Sequence, residues 1–241
     1  MEMVPIPTVG RRFVAARRVR WGDADPTGRL RLDGIARYLQ DIGNDDTRDV
    51  GQDPSAPWVV RRTVIDVASA PRAGEILHLT TFCGGLGSRW AERRTSMLGD
   101  RGGSVEASSL WVHIDPASGR PARLPAAFVD AYGEAAGGRE VPARLLLPAP
   151  PAGAPRRPWP LRATDLDGLA HVNNAATWEP VEDEVIRRRV QPRRAVLEYG
   201  DAIERDDEVD LVWTEPADGR LSMWLTVGDK VRAAALVDVL P

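Results

Sequence analysis

Arg20-Trp21-Gly22-Asp23-Ala24-Asp25 near the start of the chain and Arg162-Ala163-Thr164-Asp165-Leu166-Asp167 past its middle both read R-x-x-D-x-D. The copies stand 142 residues apart, from Arg20 to Arg162. A solenoid unit recurs every few tens of residues, so this spacing predicts two fused copies of one domain. Around the first copy, residues 14–21 read as a strand that ends at the Asp25-Pro26-Thr27-Gly28 turn. Leu32, Ile35, Ala36, Leu39 and Ile42 then follow the 3.6-residue period of a helix with one buried stripe, over residues 30–50, and Gly51 stops it. Residues 58–67, 76–82, 89–98 and 105–114 read as four strands joined by Gly-rich turns, the punctuation of an antiparallel meander.

The second copy repeats this order. A short strand reaches Arg162, the D-x-D turn follows, and a helix is expected over residues 174–189 with Pro180 ending or kinking its first turns. Strands are expected at residues 194–203, 208–215, 220–227 and 230–240. The fold class is therefore α+β, with two tandem domains, each an antiparallel sheet wrapped around a long central helix. Residues 1–134 and 160–241 are the expected domains. Residues 135–159, rich in Gly, Ala and Pro, are the expected connection.

Composition narrows the function classes. A net charge of −3 with 28% charged residues gives no overall drive toward nucleic acid or membrane. Lys230 is the only lysine, and the arginines recur in pairs that read as solvated surface or as a rim for an acidic partner. Cys83 stands alone, so neither an intrachain disulfide nor a thiolate metal cluster is expected. No run approaches the ~20 apolar residues of a membrane helix, and residues 1–12 do not read as a signal peptide. The expectation is a cytoplasmic protein, monomer or homodimer.

Further motifs carry a resemblance. Leu39-Gln40-Asp41, Trp58-Val59-Val60-Arg61-Arg62 and Gly74-Glu75 occur in order in the first half. Asp165-Leu166-Asp167 with His171-Val172-Asn173-Asn174, then Leu197-Glu198-Tyr199 and Arg205-Asp206, occur in order in the second. Together they resemble the acyl-acyl-carrier-protein thioesterases, built from tandem hotdog domains. The departures are local. Leu169 stands where the plant members of that family carry an asparagine, and Ala202 and Ile203 stand where they carry Glu-Cys. Glu204 lies one position beyond that pair and would face the other side of an uninterrupted strand.

The resemblance implies hydrolysis of fatty acyl thioesters of acyl carrier protein or coenzyme A, without metal or organic cofactor. Asp167 and His171 are the candidate catalytic residues, activating a water. The backbone N–H groups of Val172, Asn173 and Asn174, at a helix start, are candidate donors to the oxyanion. The apolar stripe of the first helix, with Trp58 beside it, is expected to line the acyl tunnel. In the first half Arg29 and Leu30 replace the His-Val pair, so Asp23 and Asp25 are expected to cap. His78, His113 and Cys83 have no patterned partner and are expected to be structural. Two other classes compete: a hotdog protein that binds acyl thioesters without hydrolysing them, and an enoyl or hydroxyacyl thioester hydratase or dehydratase.

Overall fold

The computed structural model describes residues 3–53, 56–214 and 218–240. The first half supplies β1 (Arg12–Arg18), α1 (Leu32–Asp49), β2 (Trp58–Ser69), β3 (Ile76–Leu86), β4 (Trp90–Gly99), β5 (Ser104–His113) and α2 (Ala126–Ala136). The second supplies β6 (Arg156–Pro158), α3 (Glu179–Arg188), β7 (Gln191–Tyr199), β8 (Val209–Trp213), β9 (Arg220–Val227) and β10 (Lys230–Leu240). All ten strands join one antiparallel sheet in the order β1-β3-β4-β5-β2-β7-β10-β9-β8-β6. Read outward from the β2–β7 seam, the two halves have the same strand order. This is the tandem hotdog architecture.

The halves are related by an approximate two-fold axis through that seam. Val64 pairs with Val196, 132 residues later, with Thr63–Leu197 and Ile65–Ala195 on either side. The offset is thus 142 before the central helices and 132 after them. The ten missing residues lie in the second helix and its exit, since α1 has 18 residues and α3 has 10. A 3-10 turn at Ala176–Trp178 precedes α3, and Pro180 sits in the first turn of α3. An absent N–H costs nothing there, so Pro180 neither ends nor kinks the helix.

Leu32, Ile35, Leu39 and Ile42 of α1 and Trp178, Val181 and Val185 of the second helix form one core with the inner face of both sheet halves. The seam is therefore buried like a domain interior. Each large side chain so buried contributes roughly 1.5–3 kcal/mol.

The connection is extended but anchored. Trp90 Nε1 donates to Val141 O at 2.7 Å and Trp224 Nε1 to Pro148 O at 2.7 Å. Between them Arg62 Nη1 and Nη2 donate to Arg144 O and Pro142 O, at 2.9 and 3.2 Å. Glu198 accepts the N–H of Leu146 and of Leu147, each at 2.8 Å through Oε2. Arg62 and Glu198 belong to the W-V-V-x-R and L-E-Y patterns. Both motifs tie the crossing chain to the sheet. One element was not anticipated. Helix α2 runs through the domain limit expected after residue 134 and packs on β3.

Candidate active site

The two R-x-x-D-x-D loops are built alike. Asp23 N donates to Arg20 O at 3.0 Å and Asp165 N to Arg162 O at 3.0 Å. Arg20 Nε holds Asp23, and Arg162 Nε holds Asp165, at 2.7 and 2.8 Å. Asp25 N donates to Arg29 O and Asp167 N to His171 O, both at 2.8 Å. Gly28 and Ala170 take the same left-handed turn, at φ 84° and 62°. Within each turn the second aspartate caps backbone. Asp25 Oδ1 accepts from Thr27 N and Arg29 N, and Asp167 Oδ1 from Leu169 N and His171 N.

The difference lies in what the loops hold. Asp25 Oδ2 accepts from Arg29 Nε at 3.0 Å, and the same guanidinium bonds Glu182 of α3. Burial opposes ionisation of Asp25, but the Thr27 hydroxyl and Arg29 outweigh it and keep its pKa below the ordinary value. Glu182 also accepts the Leu32 N–H at the start of α1, at 2.9 Å. Burial raises its pKa, with Arg29 opposing. The first-half loop is thereby filled by protein.

In the second half no such plug is present among the described residues. Asp167 Oδ2 has no hydrogen-bond partner among the described residues and the residue is exposed. His171 replaces Arg29, and its Nε2 lies 3.4 Å from Glu204 Oε1. β7 ends at Tyr199, so the alternation that would turn Glu204 away from the site does not apply. Residues 203 and 204 instead run beside the loop, with Val172 N donating to Ile203 O at 2.9 Å and His171 bridging Glu204.

Of the three amides expected to face a carbonyl, two are occupied. Val172 N bonds Ile203 O, and Asn173 N bonds Asp165 O at 2.8 Å. Asn174 N has no partner among the described residues. It is the counterpart of Leu32 N, which holds a carboxylate oxygen in the other half. Asn173 caps, its Oδ1 accepting Ala175 N at 2.8 Å. Tyr199 Oη donates to Asn174 O at 3.1 Å and accepts from Trp178 Nε1 at 2.9 Å, which fixes this peptide from β7. Burial pushes the Tyr199 hydroxyl's pKa up, so it stays a neutral donor.

Asp167, His171, Val172, Asn173, Asn174 and Trp58 all line one cavity of about 1090 Å³. Its far wall is aromatic: Trp58 stacks on Phe128 of α2 at 4.8 Å between ring centroids, and Phe128 on Tyr132 at 4.8 Å. The expectation for α1 needs correcting. Its apolar stripe is packed into the core, and apart from Leu39 it turns Gln40, Gly43, Asn44 and Thr47 to the cavity. One helix carries two faces about 100° apart, and the sheet claims the apolar one. Cys83 and His113 also line the cavity. Burial pushes the Cys83 thiol up to about 11, which leaves it protonated at neutral pH. Phe128 and Tyr132 belong to no motif of the sequence, because α2 has no strong local pattern.

Residues 10–132 match the acyl-ACP thioesterase N-terminal domain and residues 151–231 match the acyl-ACP thioesterase C-terminal domain. The chain belongs to the acyl-ACP thioesterase family. An uncharacterized protein of Mycobacterium tuberculosis (strain H37Rv) is 32% identical over 240 residues, covering 98% of this chain and 96% of that one. The 12:0-ACP thioesterase from Umbellularia californica has a similar structure, with a TM-score of 0.80, 20% identity and coverage of 95% and 97%. An acyl-ACP thioesterase from Bacteroides thetaiotaomicron superposes at a TM-score of 0.81, with 18% identity and coverage of 95% and 98%. At that identity the two structures speak to the fold alone. Among the described residues no helix is long and apolar enough to cross a membrane.

Proposed function

We propose that the chain hydrolyses fatty acyl thioesters of acyl carrier protein or coenzyme A at the second-half loop. The observation that carries this reading is the unpaired Asn174 N–H in the cavity beside Asp167 and His171, at a position whose first-half twin binds an anionic oxygen. Asp167 Oδ2 accepts a proton from water as the water oxygen bonds to the thioester carbon. Asn174 N–H receives the developing oxyanion, with the positive end of the helix dipole behind it. Collapse breaks the C–S bond, and the proton passes through Asp167 or His171 to the leaving sulfur. The acid product releases its own proton to solvent. A general base contributes roughly 10²–10⁴-fold to such a step. No metal or organic cofactor enters it.

Leu169, in place of the family's asparagine, is exposed at the cavity mouth, and its side chain offers no hydrogen bond. That favours a second reading, acyl-thioester binding without hydrolysis. Free-thiol release from a panel of acyl-coenzyme A and acyl-carrier-protein thioesters separates the two, with Asp167→Asn as control. Release that disappears in Asp167→Asn supports hydrolysis. Saturable binding with no release in the wild type would establish the binding protein instead, and full release in Asp167→Asn would remove the aspartate from the mechanism.

A further inference from the structure

Glu182 and Gln40 stand at equivalent places in the two halves, and their partners differ. The central helices pack antiparallel to one another, meeting where Arg37 of α1 bonds Glu179 of α3 at 2.8 Å. Those two residues are themselves 142 apart, so the approximate two-fold axis passes between them. Three residues further along α3, Glu182 reaches back to the start of α1 and accepts the Leu32 N–H. The same operation carries Glu182 to Gln40 and Leu32 to Asn174. Gln40 and Asn174 line the same cavity as His171. Gln40 is half-buried and has no hydrogen-bond partner among the described residues.

We propose that Gln40, contributed by the first half, donates its side-chain amide to the thioester carbonyl oxygen beside the Asn174 N–H of the second half. The proposal rests on the hydrolytic reading above and adds a residue to it. Its chemical logic follows from the two halves. A carboxylate at this position is itself the anionic oxygen that the helix-start amide binds, as in the first half. A carboxamide presents N–H donors instead. It leaves the oxygen position to the substrate and adds no charge against a developing oxyanion. The active site is then completed across the β2–β7 seam.

The test is thiol-release kinetics on the full chain for the wild type, Gln40→Ala, Gln40→Glu and the neighbouring exposed Asp41→Asn, each with a melting curve. Gln40→Ala is expected to lower kcat by ~10²-fold, the usual effect of one lost oxyanion donor, with KM and melting temperature near wild type. Asp41→Asn is expected to match wild type. Gln40→Glu is expected to be worse than Gln40→Ala at neutral pH, where its carboxylate opposes the oxyanion. Its rate relative to wild type should climb as pH falls toward ~4.3, the ordinary glutamate value, because the protonated acid is again a donor. A purely structural role would not give that pH-dependent ratio. Wild-type turnover in Gln40→Ala, or a Gln40→Glu ratio that ignores pH, would overturn the proposal alone. An inert wild type would overturn the hydrolytic reading and the role of Gln40 with it.

Discussion

Truncating Glu182 and truncating Gln40 are equivalent operations on the two halves, yet they should have different consequences for stability. Glu182 is buried and bonds both Arg29, which is 7% exposed, and the Leu32 N–H. Glu182→Ala strands that guanidinium, and removing one partner of a buried pair typically costs about 3–5 kcal/mol. The orphaned Leu32 N–H adds about 1–3 kcal/mol. Against this, Arg29 keeps Asp25 at 3.0 Å and Leu30 O at 3.3 Å, and the space left by the side chain can admit water. The net loss is set at about 3–5 kcal/mol, which for a chain of this size is a fall in melting temperature of roughly 6–20 °C. Gln40→Ala breaks no described bond and should stay within about 0.5 kcal/mol of wild type. Urea denaturation followed by tryptophan fluorescence, with equal slopes required across variants, measures both. A Glu182→Ala loss below about 1 kcal/mol, under the range expected for a broken buried pair, would refute the view that the first-half loop is held shut by this ion pair. So would a Gln40→Ala loss as large as that of Glu182→Ala.

Two further outcomes follow from the same geometry. Asp25→Asn should leave thiol release at the wild-type level, because Arg29 and Glu182 already fill its loop, and should lower the urea midpoint by removing the carboxylate charge that faces Arg29. Loss of turnover matching Asp167→Asn would mean that both halves carry sites. Asp33 gives a pH dependence. Burial raises its pKa, but Arg31 and Arg37 outweigh burial and hold it below the ordinary carboxylate value. A folded-state pKa below the unfolded one stabilises at pH above ~3.9, and that stability is lost as pH falls through the folded value. Asp33→Asn should therefore be less stable than wild type at neutral pH and lose less on acidification, and parallel urea midpoints against pH would contradict this.

How far the sequence could be read depended on whether local pattern or tertiary contact decided each feature. Strands β9 and β10 match their expected bounds, because Gly and Asp turns fix the ends of short alternating runs. Helix α1 falls within one residue of Gly51's predicted stop for the same local reason. Pro180 misled because a proline rule for helix interiors was applied to what became a first turn. Glu204 was placed by assuming that β7 continued, and where a strand ends depends on its neighbours. Helix α2 lacked a strong local signal, and it owes its place to packing on β3. The cavity-facing side of α1 differs from its apolar stripe for a deeper reason. An apolar stripe states which side of a helix is buried, and a cavity lies on whichever side the sheet has left free.

Equivalent positions in a fused duplicate need not keep equivalent roles, and this chain separates them at two residues. Where the second half has His171, the first has Arg29. Where the first half receives Glu182 from its neighbour, the second receives Gln40. Each change alone would be awkward. An arginine at position 171 would pair with Asp167, as Arg29 does with Asp25, and with Glu204, tying up the carboxylate proposed to act on water, and a carboxylate at position 40 would compete for the Asn174 amide. Arg29 is bonded to Glu182 in one half, and His171 shares its cavity with Gln40 in the other. The first pairing converts a loop that could hold an anionic oxygen into an ion pair across the seam. The second presents a carboxamide, with N–H donors, where the first presents a carboxylate. The cavity lined by the second-half loop and walled by first-half elements is the geometric outcome of that division.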